Sequence, residues 1–281
     1  MSLGLGAVVR ELTDAPQKTR RRGADHKPAT QDKIDWEVPR KVLHSSIGFL
    51  VLPLYISHSS VHVVIVYLSV AFAVIGITDI IRLRYPSVAR TYERFLGFLM
   101  RDSEKNSTNG VIWYLLGAII VLSLYPLDIA VVSILILSWC DTAASTFGRM
   151  YGRRTSPLPQ SLSIPLGFAA LTLPLPFARR KSVAGFLGGA VTGSLIAVSF
   201  WGWVAPMGEA VPAWSWSSAE WVGSAAGLGI VSVVTGVVAG VSEALDVGNL
   251  DDNLTLPVIA GGAMWGFFKL LDWLTTSPIS S

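Results

Sequence analysis

The sequence predicts an all-α fold, a polytopic bundle of about seven membrane-spanning helices, and three observations carry that prediction. Hydrophobic residues make up 51% of the 281 and charged residues only 15%, against about 25% charged in an ordinary soluble domain. The apolar residues gather in seven runs, near 42–57, 60–81, 111–126, 128–147, 183–205, 221–242 and 257–275. Several are close to the lower length limit for crossing a hydrocarbon core. Lys and Arg keep to alternate connections: of 22, nine lie in 1–41, six in 82–110 and six in 148–182, with Lys269 inside the last run the exception. The opposite connections, around His58, 126–128 and 206–220, hold none. By the positive-inside rule the N-terminus is then cytosolic and the C-terminus lies on the far side.

Each element follows in order. Residues 1–41 are polar and basic. They lack the apolar core of a cleavable signal, and Met1-Ser2 lacks the glycine that myristoylation needs, so they are expected to form a mostly disordered cytosolic tail. A membrane domain over 42–275 and a short tail over 276–281 complete the chain. The stretch "SLSIPLGFAALTLPLPF", 161–177, is apolar but short and interrupted by Pro165, Pro174 and Pro176. It is read as an interfacial or re-entrant excursion and not as an eighth span. The single cysteine, Cys140, permits no internal disulfide and no cysteine metal cluster, and its apolar neighbours predict a buried thiol.

Asp79, Asp141, Lys181, Glu243, Asp246, Asp251 and Asp252 all fall at or near cytosolic ends of predicted spans. Charge at membrane depth is costly and faces a protein interior or a wet cavity, so charges gathered at one depth predict a shared site open to the cytosol. Asp141 is deep. It precedes Arg149 by eight residues, which on a continuous helix places it about 12 Å below that arginine.

Three stretches and one helix start carry candidate chemistry. In "CDTAASTFGRMYGRR", Asp141, Ser145, Gly148 and Gly152 recur at helical spacing and share a face. The resulting groove, free of bulky side chains, suits either a substrate or metal-bound phosphate, or the close approach of another helix. Arg149, Arg153 and Arg154 at its mouth supply the charge that polyphosphates require, or form a basic edge beside anionic lipid. In "ARRKSVAGFLGGAVTG", Lys181 and the N-cap candidate Ser182 open the fifth span, and Gly185, Gly189 and Gly193 recur every four residues. Free amides at a helix start can cradle phosphate, while a glycine stripe can equally be a packing seam; packing alone does not explain Lys181. In "EALDVGNLDDNLTLPVIAGG", four carboxylates and two asparagines fall within eleven residues without one basic residue. Oxygen ligands at this density suit Mg²⁺ or Ca²⁺, though the spacing is no EF-hand loop. Upstream, Arg40, Lys41 and His44 begin the first span, His44 four residues from both Arg40 and Gly48.

Taken in this order, "RKVLHSSIG", "CDTAASTFGRMYGRR", "KSVAGFLGG" and "EALDVGNLDDNLTLP" resemble the blocks of the CTP-dependent lipid kinases, a family that includes dolichol kinase, phytol kinase and the fungal diacylglycerol kinase. The resemblance covers residues 38–275. The compact length and basic tail look most like the fungal diacylglycerol kinase; the proline-rich stretch between Gly152 and Arg179 is longer than the family pattern. The resemblance implies transfer of the γ-phosphate of CTP to diacylglycerol, giving phosphatidate and CDP, with a divalent metal. It also implies the endoplasmic reticulum and nuclear envelope membrane, with the active site facing the cytosol.

On these residues the family's chemistry makes Asp141 a metal ligand or general base and places Lys181 beside it in catalysis. Arg149, Arg153, Ser182, Gly185, Lys41 and Asn253 are assigned to nucleotide and phosphate, and Asp251, Asp252 and Glu243 with Asp141 to the metal. Arg40, His44, Gly148 and Gly152 are further candidates. The implied partners are CTP, diacylglycerol and membrane lipid, with no nucleic acid. Three alternatives stay open: a kinase of another lipid alcohol such as dolichol or phytol, a phosphatidate cytidylyltransferase, and a membrane transporter. Transporters normally show an internal repeat and sites near the midplane; here no repeat is visible and the charges cluster at one face.

Overall fold

The computed structural model describes residues 37–57, 59–166 and 169–276. The tail expected over 1–41 therefore lies mostly outside the described residues, as do 277–281. Among the described residues the regular structure is helical apart from one hairpin. The helices are α1 (Val38–Ile56), α2 (Val61–Arg84), α3 (Pro86–Leu96), α4 (Gly110–Leu124), α5 (Leu127–Leu135), α6 (Asp141–Tyr151), α7 (Val183–Ser199), α8 (Ala225–Ala244) and α9 (Asp252–Thr276). Each of the seven apolar runs falls on a helix, with α5 and α6 sharing one run. Five helical units are long and apolar enough to cross a membrane: α2, α5 with α6, α7 with its continuation to Met207, α8, and α9. α4 is apolar but shorter, and α1 opens on Arg40 and Lys41. By helix composition this is a multi-pass membrane protein.

α5 is the axis of the bundle. From Ile129 to Leu137 its residues are buried on every face, the mark of a helix that is apolar all round and enclosed by others. α1, α4, α7 and α9 all pack against it or its continuation. Between α5 and α6 the helix does not stop but makes one π turn, Ile136–Cys140. The amide of Asp141 bonds the Ile136 carbonyl, where an α-helix would have used Leu137. The Leu137 carbonyl instead meets His44 Nε2 at 2.9 Å, so the π turn ties α1 to the helix immediately before Asp141. Cys140 is fully buried, as its neighbours predict.

α7 and α8 pack along small residues. A Cβ at Gly193 would come within 2.6 Å of Ala239 Cβ, and Ser194 and Ser232 each donate a hydroxyl to the other's carbonyl at 3.0 Å. The glycine stripe is thus a packing seam. Gly185 lies against the Ala144 carbonyl and Gly148 of α6, Gly189 between Ala144 and Gly240, and Gly193 against α8.

The excursion at 161–177 is a β-hairpin, β1 (Ser161–Leu166) with β2 (Ala169–Pro174), paired antiparallel from Ser161↔Pro174 to Leu166↔Ala169. Its base is stitched to the helix ends on both sides. Leu158 N bonds Lys181 O and Val183 N bonds Ser156 O, while Ala178 N bonds Ala244 O and Asp246 N bonds Pro176 O. The proline-rich insertion therefore fixes the backbone of Lys181 against the end of α8.

Candidate active site

The start of α1, the end of α6, the start of α7, the end of α8 and the start of α9 carry one charged network. Arg40 Nη1 pairs with Glu104 Oε1, and Glu104 Oε2 accepts the backbone amide of Arg101 at 3.2 Å. Asn253 Nδ2 bonds the Gly110 carbonyl at 3.3 Å. A Cβ on Gly110 would sit 2.9 Å from both Arg40 Nη2 and Glu104 Oε1 and 3.1 Å from Asn253 Nδ2. Glycine at 110 is what lets these three side chains converge.

Beside them, Glu37 bridges two cations, Arg149 at 2.9 Å and Arg101 at 3.3 Å. Lys41 Nζ donates to Thr146 Oγ1 at 3.1 Å and feels the charges of Arg149, Asp141, Glu37 and Arg101. Asp141 Oδ2 stands 3.9 Å from His44 Nε2. That nitrogen donates to Leu137 O, so the ring is a strut that fixes Asp141's surroundings. Thr142, next in sequence, accepts from Ser45 at 3.2 Å and donates to Ser138 O at 2.8 Å.

The opposite flank is Lys181, whose ammonium pairs with Glu243 Oε1 and lies 3.9 Å from Asp252 Oδ2. Arg180 also reaches Asp252, at 3.3 Å. The charges of Asp141 and Asp252 both act on Glu243, and among the described residues its second oxygen, Oε2, is buried without a hydrogen-bond partner. An unsatisfied buried carboxylate oxygen is expensive. It lies next to a lysine and within the field of another carboxylate. Asp251 accepts the Asn253 amide at 2.9 Å; burial pushes its carboxyl above the usual range, with Arg40 and Arg101 pulling the other way.

The remaining expected site residues divide. Gly148 and Gly152 of the α6 face do not line an open groove: they meet Ser182 and Gly185 across a close contact with α7. Ser182 caps α7 as expected, accepting the Gly185 amide at 3.3 Å. The amides of Val183 and Ala184 are also taken, by Ser156 O and Thr155 Oγ1. The leading amides of α7 are thus bonded within the chain, so the amide cradle expected there is filled in this conformation. Arg153 lies exposed in the turn after α6, outside the network.

Sequence reasoning missed Glu37, Arg101 and Glu104, the acidic and basic partners that hold Arg149 and Arg40. It also missed Arg82. This side chain is 1% exposed, is bound to Asp79 at 2.7 Å, and donates to the carbonyls of Glu104, Lys105 and Ser107 at 2.9–3.2 Å. Asp79 accepts the Asn109 amide at 3.3 Å. The pair therefore shapes the loop that presents Glu104 to Arg40. Three loop carbonyls in sequence give no local pattern by which their common donor is found.

Among the described residues no three His, Cys, Asp or Glu side chains gather closely enough to hold a metal by themselves. Asp141, Glu243, Asp251 and Asp252 do not form a ready cage, and two of them are engaged by Lys181 and Arg180. That donor set still fits a cation of the Mg²⁺ kind, which is typically held by one or two carboxylates together with substrate phosphates. Of that set, Asp141 and Glu243 act on each other through their charges.

The helical bundle thus gathers carboxylates, a lysine and arginines at one end. No family model and no solved structure matches the chain. Curated relatives do. It is 38% identical over 257 residues to CTP-dependent diacylglycerol kinase 1 of Eremothecium gossypii, covering 85% of this chain and 73% of that one. The kinase of the same name from Schizosaccharomyces pombe is 37% identical over 80% of this chain and 90% of its own. That of Saccharomyces cerevisiae is 37% identical over 80% and 71%. The chain belongs to the CTP-dependent diacylglycerol kinase family.

Proposed function

We propose that this protein transfers the γ-phosphate of CTP to the free hydroxyl of diacylglycerol, giving phosphatidate and CDP. The observation that carries the reading is identity of 37–38% over at least 80% of the chain to three kinases named for that donor and acceptor. The charged network supports it residue by residue. Phosphoryl transfer needs mainly positioning and electrostatic stabilisation. The hydroxyl oxygen attacks the γ-phosphorus, the bond to the β–γ bridging oxygen breaks, and CDP leaves with that electron pair.

Asp141 is placed to take the hydroxyl proton or to hold a metal. Lys181, Lys41, Arg149 and Arg40 are placed to hold phosphate oxygens. Glu243 Oε1 steadies Lys181, an ammonium with three donors that keeps capacity for a phosphate. A divalent cation would be held by Asp141, Glu243 and the nucleotide's own phosphates, and would supply charge neutralisation at the transferring group. Asn253 and Asp251 are the residues we assign to nucleotide contacts. Seven spans, a cytosolic N-terminal tail and an active site opening to the cytosol, in the endoplasmic reticulum and nuclear envelope, complete the proposal. The one-sided distribution of Lys and Arg supports that orientation.

The test is to incubate purified protein with diacylglycerol and CTP labelled at the γ- or at the α-phosphorus. Label entering lipid from the γ position alone is the expected result. Label from the α position means nucleotidyl transfer, and label from neither refutes both.

A further inference from the structure

Outside the charged network, α2, α3, the turn after α3 and the start of α4 enclose a cavity of about 330 Å³, within the range of small-molecule sites. Ile75, Leu99 and Val111 give it apolar walls, and Thr78, Tyr92 and Asn109 its polar margin. Its location is unusual for a void. α2 is almost wholly uncovered by the rest of the protein, and Val74, Ile77 and Ile81 on it are exposed, as a helix bathed in acyl chains would be. α3 follows a proline turn and leaves Phe95 exposed, and Phe98 just beyond it is exposed too.

The polar margin is also connected. Asn109 donates to Tyr92 Oη at 3.1 Å and caps α4 through Val111 N at 3.0 Å. The next residue, Gly110, is the one on which Arg40, Glu104 and Asn253 converge. A single peptide unit thus separates an apolar cavity beside lipid-facing helices from the side chains placed for phosphate.

We infer that this cavity seats an acyl chain of the diacylglycerol acceptor, with the glycerol end directed past Asn109 toward the charged network. The inference rests on the diacylglycerol kinase reading and adds the place where the lipid is held. An apolar cavity beside exposed apolar helix faces offers an acyl chain a site out of water, and the transfer of each methylene out of the cavity weakens binding. The Asp79–Arg82 pair, by holding 104–107, keeps the wall between cavity and network in place.

The test uses full-length protein in lipid nanodiscs and a diacylglycerol bearing a photoreactive diazirine near the end of one chain. Crosslinks are expected on the segments containing Ile75–Thr78 and Leu96–Met100, competed by unlabelled long-chain diacylglycerol and not by phosphatidylcholine. In parallel, Ile75→Phe and Leu99→Trp narrow the cavity. With either, KM for long-chain diacylglycerol is expected to rise about tenfold, the loss from excluding two buried methylene groups. KM for short-chain diacylglycerol, KM for CTP and melting temperature should stay as in the wild type. Crosslinks elsewhere, equal competition by phosphatidylcholine, or no chain-length difference in both folded variants would overturn the inference. The underlying reading fails separately, if wild-type protein phosphorylates neither long- nor short-chain diacylglycerol.

Discussion

At the beginning of α5, Asp128 is 1% exposed, and one of its oxygens accepts from Trp201 Nε1 at 3.0 Å and from the Ala213 amide at 2.7 Å. Thirteen residues further along the same continuous helix, roughly 20 Å at the helical rise, Asp141 is 28% exposed at its side chain, 3.9 Å from His44 Nε2, and its charge acts on Lys41 and Glu243. The first carboxylate meets neutral donors that fix a loop, in a pocket closed to water. The second stands in an open network where carboxylates and cations outnumber neutral partners and Glu243 keeps an unsatisfied oxygen. Burial alone therefore does not identify a functional acid in this bundle. What separates the two is whether the surroundings complete the carboxylate's hydrogen bonding or leave room for something that is not protein.

The largest expected effect sharpens that contrast. Asp141→Asn keeps size and removes charge, and turnover should fall by at least about two orders of magnitude with melting unchanged. A folded variant that retains more than about a third of wild-type turnover, far above the usual general-base effect, removes Asp141 from the chemistry. Next, Lys181→Met should weaken CTP binding about tenfold or more, the worth of a charged contact to phosphate, and, because it strips the buried Glu243 of its partner, should also lower the melting temperature. Early melting with normal CTP binding would make Lys181 a strut for Glu243 and nothing more. Gly193→Leu, driven into Ala239, should instead lose activity only in proportion to unfolding. Smallest for chemistry is Asp128→Ala. It strands the buried Trp201 indole N–H and frees the part-buried Ala213 amide, at a cost of about 1–3 kcal/mol, so melting should drop while turnover per folded molecule stays near wild type. Turnover lost with melting intact would erase the distinction between the two ends.

Much of this was legible in the sequence, for identifiable reasons. Long apolar runs must be helices in lipid, because each backbone polar group has to be satisfied internally; the seven runs accordingly fall on helices. The continuity of the helix from Asp141 to Arg149 and the capping by Ser182 followed from spacing and residue type. The π turn at Ile136–Cys140 did not, since a segment apolar on every face has no periodicity in which an extra residue would show. The hairpin at 161–174 was masked by its prolines, and its placement depends on pairing with residues 181–183 and 244–246, which lie far along the chain. The partners of the candidate site were hidden for the same reason. Arg40 meets Glu104, Arg149 meets Glu37, and Arg82 meets three loop carbonyls, and these non-local contacts leave no mark on local composition. The glycines of the α6 face read equally well as groove or seam, and only the position of α7 decided for the seam.

The central claim is that chemistry is confined to the charged end of the bundle. CTP does not cross membranes, so sealed vesicles test it directly. In a Cys140→Ala background, single cysteines at positions 153 and 214 report which side each end of the bundle faces, and γ-labelled CTP is then supplied from one side at a time. Labelled phosphatidate should form only when CTP is on the side from which position 153 is modified. Phosphatidate formed with CTP confined to the side of position 214 would contradict the account.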